Sequence, residues 1–120
     1  MLTRLPDTLR GAPCVAACTS VHSYTHDGAR WCWQGAERGQ AAVDAEVTTA
    51  DPPEHLRRRA TGVDDFWAAW TELEVVAKLT DTPVLALLTR HGLPTPVPAG
   101  IRLDHLRVGD TLVCQGRWAA

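Results

Sequence analysis

The chain of 120 residues contains no apolar run near the ~20 residues that a membrane-spanning helix needs. It has no C-x-x-C pair, no internal repeat and no excess of one charge: 12 Lys and Arg stand against 14 Asp and Glu. The balanced charge excludes an electrostatic nucleic-acid binder, whose footprint is a basic stripe. The one basic cluster, Arg57-Arg58-Arg59, reads as a solvated helix face, or as a docking patch for an acidic partner. Met1 to Asp7 lack the apolar core of a secretory signal, so the expectation is a soluble cytoplasmic protein without a membrane or nucleic-acid partner. Cys14, Cys18, Cys32 and Cys114 sit among apolar residues and read as buried free thiols; their spacing fits no zinc motif. His26, His55, His91 and His105 stand in polar surroundings and read as surface residues.

With 45% apolar residues, the chain can bury one core, and its length suits a single domain over residues 1 to 120. Short strands are expected at Cys14–Thr19 and Arg30–Gln34, with Asp27-Gly28 as a turn. Glu37-Arg38-Gly39 reads as a tight turn into a strand from Gln40 to Val47, making a hairpin with the strand before it. Asp51-Pro52-Pro53-Glu54 starts a short helix ending near Gly62, with the acid as cap. Asp64-Asp65 caps a second helix, Phe66 to about Leu79, whose apolar stripe is Phe66, Ala69, Trp70, Leu73, Val76 and Ala77. Val84 to Leu88 fits a strand or a helical continuation. Pro94, Pro96 and Pro98 make 91 to 100 an extended connector, and Ile101–Leu103 and Thr111–Gln115 are strands around the turn Gly109-Asp110. The sum is α+β: a small antiparallel sheet packed on one principal helix.

Strand alternation places Val43, Ala45 and Val47 on one face and Asp44 and Glu46 on the other. The apolar face is expected in the core, leaving the two carboxylates on an open face. Two carboxylates that close repel unless a cation lies between them, and Mg²⁺, a hard ion that takes oxygen ligands, suits the position. Glu74, at the edge of the helical stripe, can supply a third carboxylate, and Lys78 follows one turn later. Each pair alone is also compatible with a solvated surface, where a helical Glu–Lys pair adds a few tenths of a kcal/mol.

The ordered set Val43-Asp44-Ala45-Glu46, then Trp70-Thr71-Glu72-Leu73-Glu74-Val75-Val76-Ala77-Lys78, resembles the 4′-phosphopantetheinyl transferase superfamily. Its pattern is roughly V-D-x-E followed by W-[ST]-x-K-E-[AS]-x-x-K. Ser20-Val21-His22-Ser23 looks like the family's S-H-S segment, and Val108 to Cys114 is similar to the closing strands of surfactin-type members. The resemblance implies that Asp44, Glu46 and Glu74 bind Mg²⁺, and that Lys78 contacts the coenzyme A pyrophosphate. It implies that His22 and Ser23 approach the coenzyme's 3′-phosphate. The implied reaction moves phosphopantetheine from coenzyme A to a serine of an acyl or peptidyl carrier protein. A base takes the serine proton, a role that in this family looks like a glutamate or a metal-bound water.

Three departures accompany it. The family lysine before the metal glutamate is Leu73 here, and the stretch from Glu46 to Trp70, where a carrier protein docks, is short. The likeness also covers only the second half of a surfactin-type pseudo-dimer. A working site then needs a homo-oligomer or a separate first-half subunit. These departures keep two other readings open: a transferase-like pseudoenzyme acting as an accessory binding protein, and a repurposed biosynthetic isomerase or cyclase. Trp31, Trp33, Trp67, Trp70 and Trp118 would give the latter an aromatic pocket. Phe66 and Trp70 otherwise read as core, and Trp31 and Trp33, on one strand face, as an oligomer interface.

Overall fold

The computed structural model describes residues 21–25, 30–33 and 36–119. The expected strand Cys14–Thr19, the turn Asp27-Gly28, Cys14, Cys18 and His26 lie outside the described residues. The elements in chain order are β1 (Val21–Tyr24), β2 (Arg30–Trp33), β3 (Ala41–Val47), α1 (Glu54–Arg57), α2 (Phe66–Leu79), α3 (Val84–His91), β4 (Ile101–Val108) and β5 (Thr111–Trp118). The class is α+β, with two small antiparallel sheets: β1-β2, and β3-β5-β4. No helix among the described residues is long and apolar enough to cross a membrane.

The expected hairpin between β2 and β3 does not form. β2 pairs with β1, from Val21 opposite Trp33 to Tyr24 opposite Arg30. β3 pairs instead with β5, more than sixty residues on, with Asp44 opposite Cys114. The turn before β3 closes on itself, both Gln40 and Ala41 donating their N–H to the Glu37 carbonyl.

Helix α2 begins and ends where its cap and stripe predict. The Asp65 side chain accepts from the Ala68 N–H at 3.2 Å, satisfying one orphan donor of the first turn. By contrast α1 is a single turn whose cap position is Pro53, with no side-chain cap, so Asp51 does not take that role. Val84–His91 resolves as a helix, its first turn set by Pro83.

The apolar stripe of α2 read from the sequence faces the other helices. Ala69, Leu73, Val76 and Ala77 pack with Leu87, Leu88 and Leu93. A second side of α2, Val75 and Leu79, packs on the sheet with Ala42, Ile101 and Cys114. Fully buried Thr71 satisfies its hydroxyl within the helix, on the Trp67 and Ala68 carbonyls, so it can sit inside without cost to hydrogen bonding. The sheet meets α2 closely because β5 carries Gly116. A Cβ there would lie 2.5 Å from Val75 and 2.7 Å from Leu103.

The opposite face of the sheet is covered as well. Trp31 and Trp33 pack with Val21, Ala41, Val43, Ala45 and Val113. Both indoles are buried inside the chain, at 4% and 6% exposure, which removes them as an oligomer interface. The five tryptophans do not share one cavity. Trp70 flanks the helical core, Trp118 packs at the α2–sheet core, and Trp67 makes an edge contact with Phe66.

Candidate functional site

The site forms where β3 passes under α2. Asp44 and Ala42 share the face that α2 covers, so the acidic face of β3 is not open as its alternation suggested. Asp44 is only 5% exposed, while Glu46 and Glu74 are half-buried. The alternation fixes two faces but not which one the helix takes, and here both faces are covered.

One Asp44 oxygen, Oδ1, accepts from the Ser23 hydroxyl of β1 at 3.3 Å. The other, Oδ2, is buried without a hydrogen-bond partner. An orphaned carboxylate oxygen is expensive to bury, and such groups call for a cation, a proton or a donor. Burial foremost, then the charges of Glu46 and Glu74, pushes the Asp44 carboxyl well above the usual carboxylate range; Lys78 and the Ser23 hydroxyl pull it back. Burial likewise raises Glu74, opposed by Lys78.

Lys78 is the only lysine in the chain. Its Nζ donates a 2.7 Å hydrogen bond to the Val43 carbonyl, which ties α2 to the backbone beside Asp44. Asp44, Glu46, Glu74 and Lys78 are therefore electrostatic neighbours, as their motif spacing predicts. Among the described residues, no three His, Cys, Asp or Glu side chains converge closely enough to cage a metal ion. Glu46 and Glu74 both disfavour charge on Asp44, whose Oδ2 is unpartnered, but the three carboxylates stand apart.

Lys78 also opens onto a groove of about 430 Å³ that continues past His22, Arg38, Gly39, Ala42 and Asp81. His22 and Lys78, expected at one ligand, do line one groove. Ser23 does not line it; it is 7% exposed and holds Asp44. Sequence reasoning missed Arg38 and Asp81. Arg38 comes from the exposed turn before β3, where Gly39 takes φ +86°. Asp81 follows the end of α2 at φ +50°, a left-handed position that glycine usually fills. The Thr82 N–H donates to the Ala77 carbonyl across it, closing a Schellman-type cap.

Leu73, which stands where the family pattern has lysine, is fully buried against α3. Cys114 is buried in the α2–sheet core, and burial, then the charges of Glu72 and Asp44, raises its thiol far from reactivity. A second groove, about 470 Å³, lies between α1 and α3, with His55, Arg58 and Arg59 around Leu56, Leu85 and Leu88. Leu85 is 71% exposed there.

No family model, curated protein or solved structure matches this chain.

Proposed function

We propose that this chain transfers 4′-phosphopantetheine from coenzyme A to a serine of an acyl or peptidyl carrier protein, with Mg²⁺, in a fold like half of a surfactin-type transferase. The observation that carries the reading is the orphaned, buried Asp44 oxygen beside Glu46, Glu74 and Lys78, at the side of a groove that also holds His22 and Arg38. Asp44, Glu46 and Glu74 would have to draw together to hold the ion. When bound, Mg²⁺ would neutralise pyrophosphate charge and stabilise the charge that builds up during transfer.

The chain's own groups do the rest. Lys78, fixed by the Val43 carbonyl, presents its ammonium to the pyrophosphate. His22, with Arg38 beside it, faces the 3′-phosphate end of the coenzyme. Ser23 holds Asp44 in place through its hydroxyl and so acts on the coenzyme site at one remove. The carrier serine attacks the phosphorus that bears pantetheine, and the bond to the adenosine 3′,5′-bisphosphate leaving group breaks. Glu74 would take the serine proton through the oxygen that it does not give to the ion. The carrier protein suits the α1–α3 groove, where arginines ring an apolar floor. The far wall of the coenzyme groove would come from a second copy or a first-half subunit.

A second reading has its own support. Leu73 is core, so no cation can stand at that position without unfolding the helix packing. A protein that keeps the fold and the coenzyme groove without catalysis would have this character.

The test is incubation with coenzyme A, Mg²⁺ and a panel of apo carrier proteins, read by intact mass. A mass gain of one phosphopantetheine that disappears in Glu74→Ala supports transfer; full-rate transfer by Glu74→Ala sinks the site. Thermal stabilisation by coenzyme A with Mg²⁺, without any mass gain, favours the binding protein.

A further inference from the structure

The sheet face turned away from α2 holds a third cavity, of about 200 Å³, lined by Trp33, Arg102, Asp104, Gln115 and Arg117. That is room for about six or seven water molecules, below the size of a drug-like ligand site. Four of these residues form two neighbouring same-face rungs of the β4–β5 ladder: Arg102 stands opposite Arg117, and Asp104 opposite Gln115, with Leu103 opposite Gly116 between them. Like charges directly across a ladder destabilise it. Among the described residues, neither guanidinium has a hydrogen-bond or ion-pair partner, and Asp104 has none either. The side-chain oxygen of Gln115 is buried without a partner as well. One rung thus offers two unpaired cations, and the next on the same face offers one unpaired carboxylate, Asp104.

We propose that this cavity binds a small zwitterion, its carboxylate held by Arg102 and Arg117 and its ammonium by Asp104. Paired guanidiniums suit a carboxylate, which accepts bidentate hydrogen bonds, and the anion between them removes their repulsion. An ammonium donates to the Asp104 carboxylate, which faces the cavity. Neighbouring same-face rungs lie ~7 Å apart along a strand. That spacing suits an ω-amino acid, whose charges are separated by several bonds, better than an α-amino acid. Trp33 forms one wall. The site is on the far side of the sheet from Lys78 and is independent of the transferase reading.

Isothermal titration with γ-aminobutyrate, butyrate and butylammonium tests it on the full chain. Saturable one-to-one binding of γ-aminobutyrate is expected, with each half-molecule weaker by about tenfold or more. Arg117→Gln should weaken γ-aminobutyrate and butyrate but leave butylammonium unchanged or improved. Asp104→Asn should weaken γ-aminobutyrate and butylammonium but not butyrate. Both residues are exposed, so the variants should fold, which circular dichroism checks. No saturable binding of γ-aminobutyrate by the unaltered chain overturns the proposal. So does butyrate binding as tightly as γ-aminobutyrate, or binding that both variants leave intact.

Discussion

The Lys78 ammonium on α2 and the Val43 carbonyl on β3 lie 2.7 Å apart, so the chain's single lysine is both a structural tie and the cation of the candidate site. The bond spans 35 positions of sequence and spends one of three ammonium donors, leaving two for a ligand. Lys78→Met keeps the aliphatic stem and removes the donor. A cost of about 1 kcal/mol in urea unfolding is expected, the usual worth of one part-buried hydrogen bond. If the groove binds coenzyme A, the same variant loses most of the coenzyme-dependent rise in melting temperature. An unchanged coenzyme response would remove Lys78 from the site.

Asp44 makes stability depend on pH in a stated direction. Its folded pKa is raised above the unfolded value of about 3.9. Between those two values the native chain holds a proton that the unfolded chain has released, so stability falls as pH rises through that window. Its contribution is complete below the unfolded pKa and lost above the folded one. In buffer with a metal chelator, the urea midpoint should therefore decline from about pH 4 towards neutrality. Asp44→Asn should flatten part of that decline and be more stable than the unaltered chain at neutral pH. Glu74, raised by burial as well, should contribute to the remaining slope in the same direction. Parallel declines in the two proteins would show that Asp44 is not the group responsible.

A lysine at position 73, where the pattern that this chain resembles has one, should destabilise the protein rather than add a phosphate contact. Leu73 has no exposed surface and touches the α3 core. Leu73→Lys would remove that packing and strand an ammonium among Val76, Leu87 and Leu88. A loss of at least about 3 kcal/mol is expected, a large share of a small domain's stability. Circular dichroism melts check it; a Leu73→Lys protein that melts within a few degrees of the parent contradicts this packing.

What could be read from the sequence differs by kind of signal. Helix α2 was legible because a capping acid and a repeating stripe act locally, within a few turns. The neighbourhood of Asp44, Glu74 and Lys78 was legible because their chemistry is shared. The covered side of β3 was not, because Ala42 and Ala45 are equally suited to either face and both faces are buried. The pairing of β3 with β5 was hidden behind a nearer and shorter loop. The buried roles of Trp31 and Trp33 depend on the other sheet, which strand alternation does not reveal. Arg38 and Asp81 escaped notice because exposed turn residues carry no periodicity.

Gly116 has a role that only the packing reveals. It lies opposite Ala42 and Leu103 in the sheet, directly under Val75 of α2. In Gly116→Ala the new methyl would need Val75, Leu103 and Leu79 to give way together, since all three lie within 3.2 Å of it. Overpacking of this kind costs about 1–3 kcal/mol. The displaced helix also carries Glu74 and Lys78, so any coenzyme response should weaken with stability. A gain in stability, from the reduced freedom of the unfolded chain, would show that α2 does not pack this closely on β5.

Asp81 gives the sharpest test of the groove's electrostatics. Its carboxylate lines the same space as His22, Arg38 and Lys78 and repels an incoming phosphate. Asparagine tolerates the left-handed backbone at least as well as aspartate, so Asp81→Asn should leave the melting temperature of the free protein nearly unchanged. Coenzyme A should then bind several-fold more tightly to Asp81→Asn, and the gain should shrink as salt is added, because the groove is open to solvent screening. A control at Asp64, exposed just before α2 and outside the groove lining, should show no such gain. Equal coenzyme affinity in Asp81→Asn and the parent, measured at low salt, would mean that the phosphates do not enter this groove.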